Sequence, residues 1–147
     1  MYLLDTNHCS RILQGHPSVI MKLEELGNQP ISTCAVVYGE LIFMAQKSWK
    51  KVENLRLIRE FLKDIRVYPI NNETADIYGN LKVSLLDHFG PREKAKRRRT
   101  DTVKLGFGEN DLWIAATAKQ FELIVVSSDK DFKRIREVEN IRLESWL

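Results

Sequence analysis

Leu123-Ile124-Val125-Val126 is an unbroken apolar run, and Ser127-Ser128-Asp129 follows at once. Four apolar residues in succession suit a strand buried on both faces, as in a parallel sheet. The N-terminus repeats the arrangement in Tyr2-Leu3-Leu4-Asp5. Shorter strand-like stretches occupy 31–32, 66–70 and 141–143. Val67 and Tyr68 are good strand formers. Helical spacing fills the intervals at 7–14, 17–26, 35–47, 49–63, 72–88 and 111–121, with a short helical turn at 131–136. Pro17 sits where a helix accepts proline best, and Ser32 or Thr33 is placed to cap the helix after it. Strands alternating with helices predict an α/β fold: three layers, α/β/α, around a central, mostly parallel sheet. At 147 residues without an internal repeat, one domain spanning 1–147 is expected.

Bulk properties narrow the function. Apolar residues make up 44% and charged residues 29%, which suits a soluble, packed chain. No stretch has the roughly 18 consecutive apolar residues of a membrane span, and no basic leader precedes the first strand. Cys9 and Cys34 lie in no metal or redox pattern and read as small buried residues in a reducing compartment. A cytoplasmic protein is expected. Trp49 and Trp146 are expected to complete the core rather than form a subunit contact. The net charge of +3 conceals an asymmetry. Residues 92–104 carry seven cations and two acids, a local charge of +5, which leaves −2 for the remainder. A basic segment on a mildly acidic body suggests a polyanionic partner. It lies within 90–109, which reads as an irregular insertion, and structureless loops of that length are often functional.

Four acids stand at related places. Asp5 and Asp129 follow strands, Asp111 opens a helix, and Glu40 lies in the helix containing Val36-Val37-Tyr38-Gly39-Glu40-Leu41. The carboxyl edge of an open parallel sheet is where ligands bind. Each acid has a duller reading: Asp5 and Asp111 as helix caps, Glu40 as a solvated surface group, Asp129 as part of a Ser-Ser-Asp turn. Those separate readings leave the common placement unexplained. Asp131 is a fifth acid that can join the site or cap its own turn. Gathered carboxylates repel, and a hard divalent cation such as magnesium removes that repulsion. Such an ion supports phosphodiester hydrolysis without a serine–histidine pair. Thr6, Asn7 and Ser127 are able to orient carboxylates or water. His8, His16 and His88 have no ligand spacing, and His8 is expected at the surface.

At these residues the chain resembles PIN-domain nucleases, and more narrowly the VapC toxins of type II toxin–antitoxin pairs. The matching pieces are Leu3-Leu4-Asp5-Thr6-Asn7, Ser32 through Glu40-Leu41, Asn110-Asp111-Leu112-Trp113-Ile114-Ala115-Ala116, and Val125 through Phe132. They occur in the family's order along nearly the whole chain. The resemblance implies a magnesium- or manganese-dependent endoribonuclease. Asp5 and Asp111 match the metal ligands, Glu40 and Asp129 complete the acidic pocket with Asp131 contributing, and Thr6 and Ser127 match supporting positions. It also implies a homodimer silenced by a cognate VapB-like antitoxin whose C-terminal segment enters the active-site groove. The 90–109 stretch is longer and more basic than the family's connection, and Arg97, Arg98 and Arg99 are candidates for guiding RNA past the acids. Four other readings compete. A phosphatase of the haloacid-dehalogenase type wants Asp-x-Asp where Asp5-Thr6-Asn7 stands, and a receiver domain wants an acid where Tyr68-Pro69-Ile70-Asn71 has none. A housekeeping RNA-processing nuclease would use the same acids as a toxin. A non-catalytic module would use the acidic cleft only to bind.

Overall fold

The structure, a computed structural model, describes residues 1–147. The strands are β1 (Tyr2–Leu4), β2 (Ile31–Cys34), β3 (Arg66–Tyr68), β4 (Ile124–Val126) and β5 (Arg142–Glu144). The helices are α1 (Thr6–Leu13), α2 (Pro17–Leu26), α3 (Ala35–Gln46), α4 (Lys51–Lys63), α5 (Asn72–Phe89), α6 (Lys94–Arg98), α7 (Glu109–Gln120) and α8 (Lys130–Ile135). The sheet has the order β3-β2-β1-β4-β5, and all four pairings are parallel. The expected layered α/β architecture is therefore present, and its sheet is wholly rather than mostly parallel.

The unbroken apolar runs explain the middle of the sheet. Leu3, Leu4, Val125 and Val126 are fully buried. They pair in register, Leu3 with Val125 and Leu4 with Val126. They belong to a contiguous core of 25 residues reaching Leu81 and Leu85 of α5, Leu112 and Ile114 of α7, and Phe132 of α8. Because the chain winds outward through β2 and β3, then returns to add β4 and β5 on the other side, the strand order reverses between β1 and β4. Ligands bind in the crevice at such a switch point.

Local chemistry sets the helix ends. Asp5 caps α1 and Asp129 caps α8, each carboxylate accepting a backbone N–H. Asn71 and Thr74 form a reciprocal capping box at α5. Pro17 opens α2 as expected, and Gly27 ends it at φ 60°.

Several expectations are corrected. Ser32 and Thr33 do not cap α3, because β2 extends to Cys34. Their hydroxyls donate instead to the carbonyls of Tyr2 (2.7 Å) and Leu4 (2.9 Å), tying β2 to β1. Trp146 is buried, but Trp49 is fully exposed, because α4 begins only at Lys51. Val52, on the first turn, faces solvent, while Ile58 and Leu62 hold α4 to the core. Cys9 and Cys34 are buried free thiols, and burial pushes both above the ordinary thiol range.

The 90–109 segment is not irregular throughout. It contains α6, and it buries Thr102 and Phe107. Arg134 fastens it: one guanidinium nitrogen donates to the Leu105 carbonyl (2.8 Å), and the group lies 4.0 Å from the Phe107 ring and 4.8 Å from that of Phe89. Gly106, at φ 90°, makes the turn that brings Phe107 inward. No helix is long and apolar enough to cross a membrane.

Candidate active site

The crevice between the ends of β1 and β4 is a cavity of about 290 Å³. Asp5, Thr6, Asn7, Glu40, Asp111 and Asp129 line it, with Met44 and Ile114 as apolar wall. The four acids singled out in the sequence thus converge from separate elements. Asp5 arrives from the end of β1. Its Oδ1 accepts the His8 backbone N–H at 2.8 Å. Glu40 reaches in from α3, and the Thr6 hydroxyl donates to its carboxylate. Asp111 comes from α7, which starts two residues earlier than expected, at Glu109 after the Gly108 cap. That places Asp111 at the third helical position, where backbone N–H groups and the helix dipole favour negative charge. Asp129 follows β4, and its backbone N–H donates to Ser127 Oγ (3.0 Å). Its Oδ1 accepts the Asp131 N–H at 2.9 Å.

Asp111, Asp129 and Asp131 each offer an oxygen within 4.8 Å of the other two. Asp131 therefore joins a three-acid grouping, although its sequence context ranks it below the other four acids. It is also tied to the fold: Oδ2 accepts the Gly108 N–H (3.2 Å), and Oδ1 lies 3.8 Å from Arg134. The resemblance pairs Asp5 with Asp111, and the two share the cavity. The three acids whose oxygens all lie within 4.8 Å of one another, however, are Asp111, Asp129 and Asp131.

This crowding has an electrostatic signature. The Asp111 carboxyl is pushed up to about 7 by burial, then by Asp129, Asp131, Glu40 and Asp5. The donor set fits a hard divalent cation: oxygen ligands only, several negative charges, and an Asp111 that is costly to ionise until a cation arrives. Beside it, Tyr78 and Lys82 both donate to Glu109, and Tyr78 stacks on Trp113 with ring centroids 3.7 Å apart. The Tyr78 hydroxyl, with Lys82, holds Glu109 below the usual carboxylate range. Glu109 is therefore committed to a neighbouring cluster and not to the cavity.

Of the three arginine candidates, Arg98 and Arg99 are exposed on the basic segment. Arg97 is half-buried and paired with Asp87 at 2.5 Å. His8 departs most from expectation. It is fully buried, with Nδ1 2.9 Å from Asp5 Oδ1 and Nε2 accepting the Trp146 backbone N–H at 3.2 Å. Its spacing of three from a helix-capping acid was a usable signal. Its other partner, 138 residues away, was not.

A PIN domain family model matches residues 2–138. The ribonuclease VapC2 of Rickettsia felis is 31% identical, covering 99% of this chain and 98% of its own. The tRNA(fMet)-specific endonuclease VapC of Salmonella typhimurium is 26% identical over 99% of this chain and 97% of its own. Among solved structures, the Rickettsia felis VapBC2 complex bound to a promoter DNA fragment aligns with a TM-score of 0.77 and 29% identity, over 99% of this chain and 98% of that one. With the fold, the converging acids and the full-length similarity together, the chain belongs to the PIN-domain family, in its VapC branch.

Proposed function

We propose that this protein is a metal-dependent endoribonuclease, the toxin of a type II toxin–antitoxin pair. The observation that carries the reading is the group of Asp111, Asp129 and Asp131 oxygens at the switch point, with Asp5 and Glu40 in the same cavity. Asp5 and Asp111 with Asp129 and Asp131 would hold magnesium or manganese. When bound, the ion would supply Lewis acidity toward a phosphoryl oxygen and activate water. The chain's own residues do the rest. Thr6 fixes the Glu40 carboxylate on the cavity wall, Ser127 shapes the turn that presents Asp129, and Met44 and Ile114 restrict water. Asp111 must give up its proton before it can ligate.

RNA as the substrate follows from what the Rickettsia and Salmonella proteins are named for and from the basic segment. An acidic cavity repels a phosphate backbone, and exposed cations elsewhere on the chain offset that repulsion by a salt-dependent, sequence-blind attraction. Arg98 and Arg99 carry most of this role, because Asp87 already engages Arg97. Replacing Arg97, Arg98 and Arg99 with alanine is expected to slow cleavage by roughly 3- to 10-fold at low salt. The salt slope should fall by about two phosphate contacts' worth. Unchanged rate and salt slope would remove the guiding role.

A VapB-like antitoxin is the proposed partner. A groove of about 250 Å³ lined by Leu13, Met44, Leu57 and Ile58 shares Met44 with the acidic cavity. An apolar segment lying there would run directly into the site. A homodimer is proposed with it, by likeness to the family. A small gene just upstream encoding a DNA-binding protein that suppresses cleavage would separate a toxin from a housekeeping nuclease.

The whole reading is tested by RNA cleavage with manganese, with and without chelator. Cleavage should require the ion and should be lost in Asp5→Asn. Cleavage that persists in chelator rules the mechanism out. Absence of calorimetric manganese binding in the millimolar range favours the non-catalytic module.

A further inference from the structure

We propose that His8 is a positioning residue for Asp5, fixing which carboxylate oxygen faces the cation and locking that choice to the backbone at Trp146. The inference rests on the metal-site reading above. Asp5 Oδ1 accepts two hydrogen bonds from the same residue, the His8 backbone N–H at 2.8 Å and the His8 ring Nδ1 at 2.9 Å. The first is ordinary helix capping. The second requires an imidazole whose Nδ1 carries the hydrogen, and the far side of the ring supplies the reason. Nε2 accepts the Trp146 backbone N–H at 3.2 Å, so it must present a lone pair, and the ring hydrogen resides on Nδ1.

The ring has no freedom to turn. It is fully buried, and the Trp146 indole meets it edge-on with centroids 6.2 Å apart. That indole is itself set against Tyr2 of β1 at 5.4 Å, and its Nε1 donates to Glu144 of β5 at 3.2 Å. The chain of contacts therefore runs from β5 through Trp146 and His8 to the acid at the end of β1. An aspartate carboxylate otherwise rotates over a broad torsional range. Here both donors occupy Oδ1, which leaves Oδ2 for the cavity, and Asp5 becomes a one-oxygen ligand of fixed direction. Groups that orient a ligand in this way are worth roughly 10- to 100-fold in metal affinity.

Two substitutions divide the ring's two bonds. In His8→Asn the amide nitrogen falls near the position of Nδ1 and can donate to Asp5. In His8→Gln the longer amide reaches the place of Nε2 and can accept from Trp146. Manganese affinity is measured by calorimetry on the intact chain for the unmodified protein, His8→Ala, His8→Asn and His8→Gln, with thermal midpoints recorded alongside. His8→Ala is expected to bind manganese roughly 10- to 100-fold more weakly. His8→Asn should recover most of that loss. His8→Gln should recover thermal stability but little affinity. At saturating manganese the cleavage rate of His8→Asn should approach that of the unmodified protein, so the defect of His8→Ala lies in metal half-saturation. Equal affinity in all four proteins, or rescue by Gln and not by Asn, overturns the proposal and leaves His8 as packing alone. If His8→Ala fails to fold, the Asn–Gln comparison still decides. An unmodified protein that binds no manganese overturns the metal-site reading, and this inference with it.

Discussion

Asp111→Asn is expected to make the metal-free protein more stable while removing RNA cleavage. Asp111 has its carboxyl raised to about 7 by burial and by Asp129, Asp131, Glu40 and Asp5. Above that pH the folded chain carries an ionised group that its surroundings oppose. Asparagine keeps the shape and removes the charge. The carboxyl is partly open to solvent, so screening reduces the gain to the order of 1–2 kcal/mol. Against this stands the favourable placement of a negative charge in the first turn of α7, worth about 0.3–1 kcal/mol. The repulsion wins, and the thermal midpoint in chelator at pH 8 should rise by roughly 2–4 °C. Cleavage moves the other way. Loss of a group that merely orients a ligand costs up to about 100-fold, so loss of the ligand itself sets that figure as a floor. Opposite changes in stability and activity are the signature of a site that strains the fold it sits on. A variant that melts lower than the parent in chelator, or that keeps a tenth of its activity, would show that Asp111 is a favourable first-turn charge of α7 and nothing more.

The parts of the site legible in the sequence share a physical cause. Buried parallel strands write themselves as apolar runs, and the acid after each run marks the carboxyl edge. Asp5 after Leu4 and Asp129 after Val126 could therefore be placed before any coordinates. Glu40 has the weakest signal of the four acids taken alone, because nothing local distinguishes it from a solvated helix residue. It is the Thr6 hydroxyl, 34 residues away, that holds it at the cavity. Residues 90–109 read as irregular, because Gly, Pro and clustered charge look alike in any loop, and α6 is the one helix lying wholly within them. What orders the stretch is tertiary: Phe107 enters the core and Arg134 grips Leu105. The burial of His8 is hidden from its local sequence for the same reason. An imidazole near a capping acid reads as a surface group until the amide that satisfies its second nitrogen is known, and that amide comes from the far end of the chain. Local propensity and periodicity therefore locate the ligands, while the contacts that hold them steady are long-range.

The second large effect couples metal, pH and stability. An acid whose carboxyl is raised on folding binds its proton more tightly in the folded than in the unfolded chain. Asp111's contribution is therefore fully present below the unfolded value near 3.8 and is lost as pH rises through about 7. In chelator the thermal midpoint should accordingly decline between pH 5 and pH 8 for this group's part. Glu109 does not disturb the comparison, since its carboxyl is held low and its contribution is lost only at more acidic pH. A divalent cation opposes this slope and largely cancels it. At pH 8, manganese at 100 times its dissociation constant stabilises the fold by about 2.7 kcal/mol, which is roughly 5–10 °C in midpoint for a chain of this size. At pH 5 the ion must displace a proton from Asp111, and each unit below 7 weakens binding about tenfold. The same manganese concentration then equals the dissociation constant, and the stabilisation shrinks to about 0.4 kcal/mol. Melting curves with manganese and with chelator at pH 5, 6.5 and 8 measure this directly. Calorimetry in buffers of different ionisation enthalpy should show proton release on binding at pH 6.5, and little at pH 8. A manganese shift of equal size at pH 5 and pH 8 would mean that no carboxyl need lose its proton to admit the ion. The crowding of Asp111, Asp129 and Asp131 would then be unconnected with metal binding.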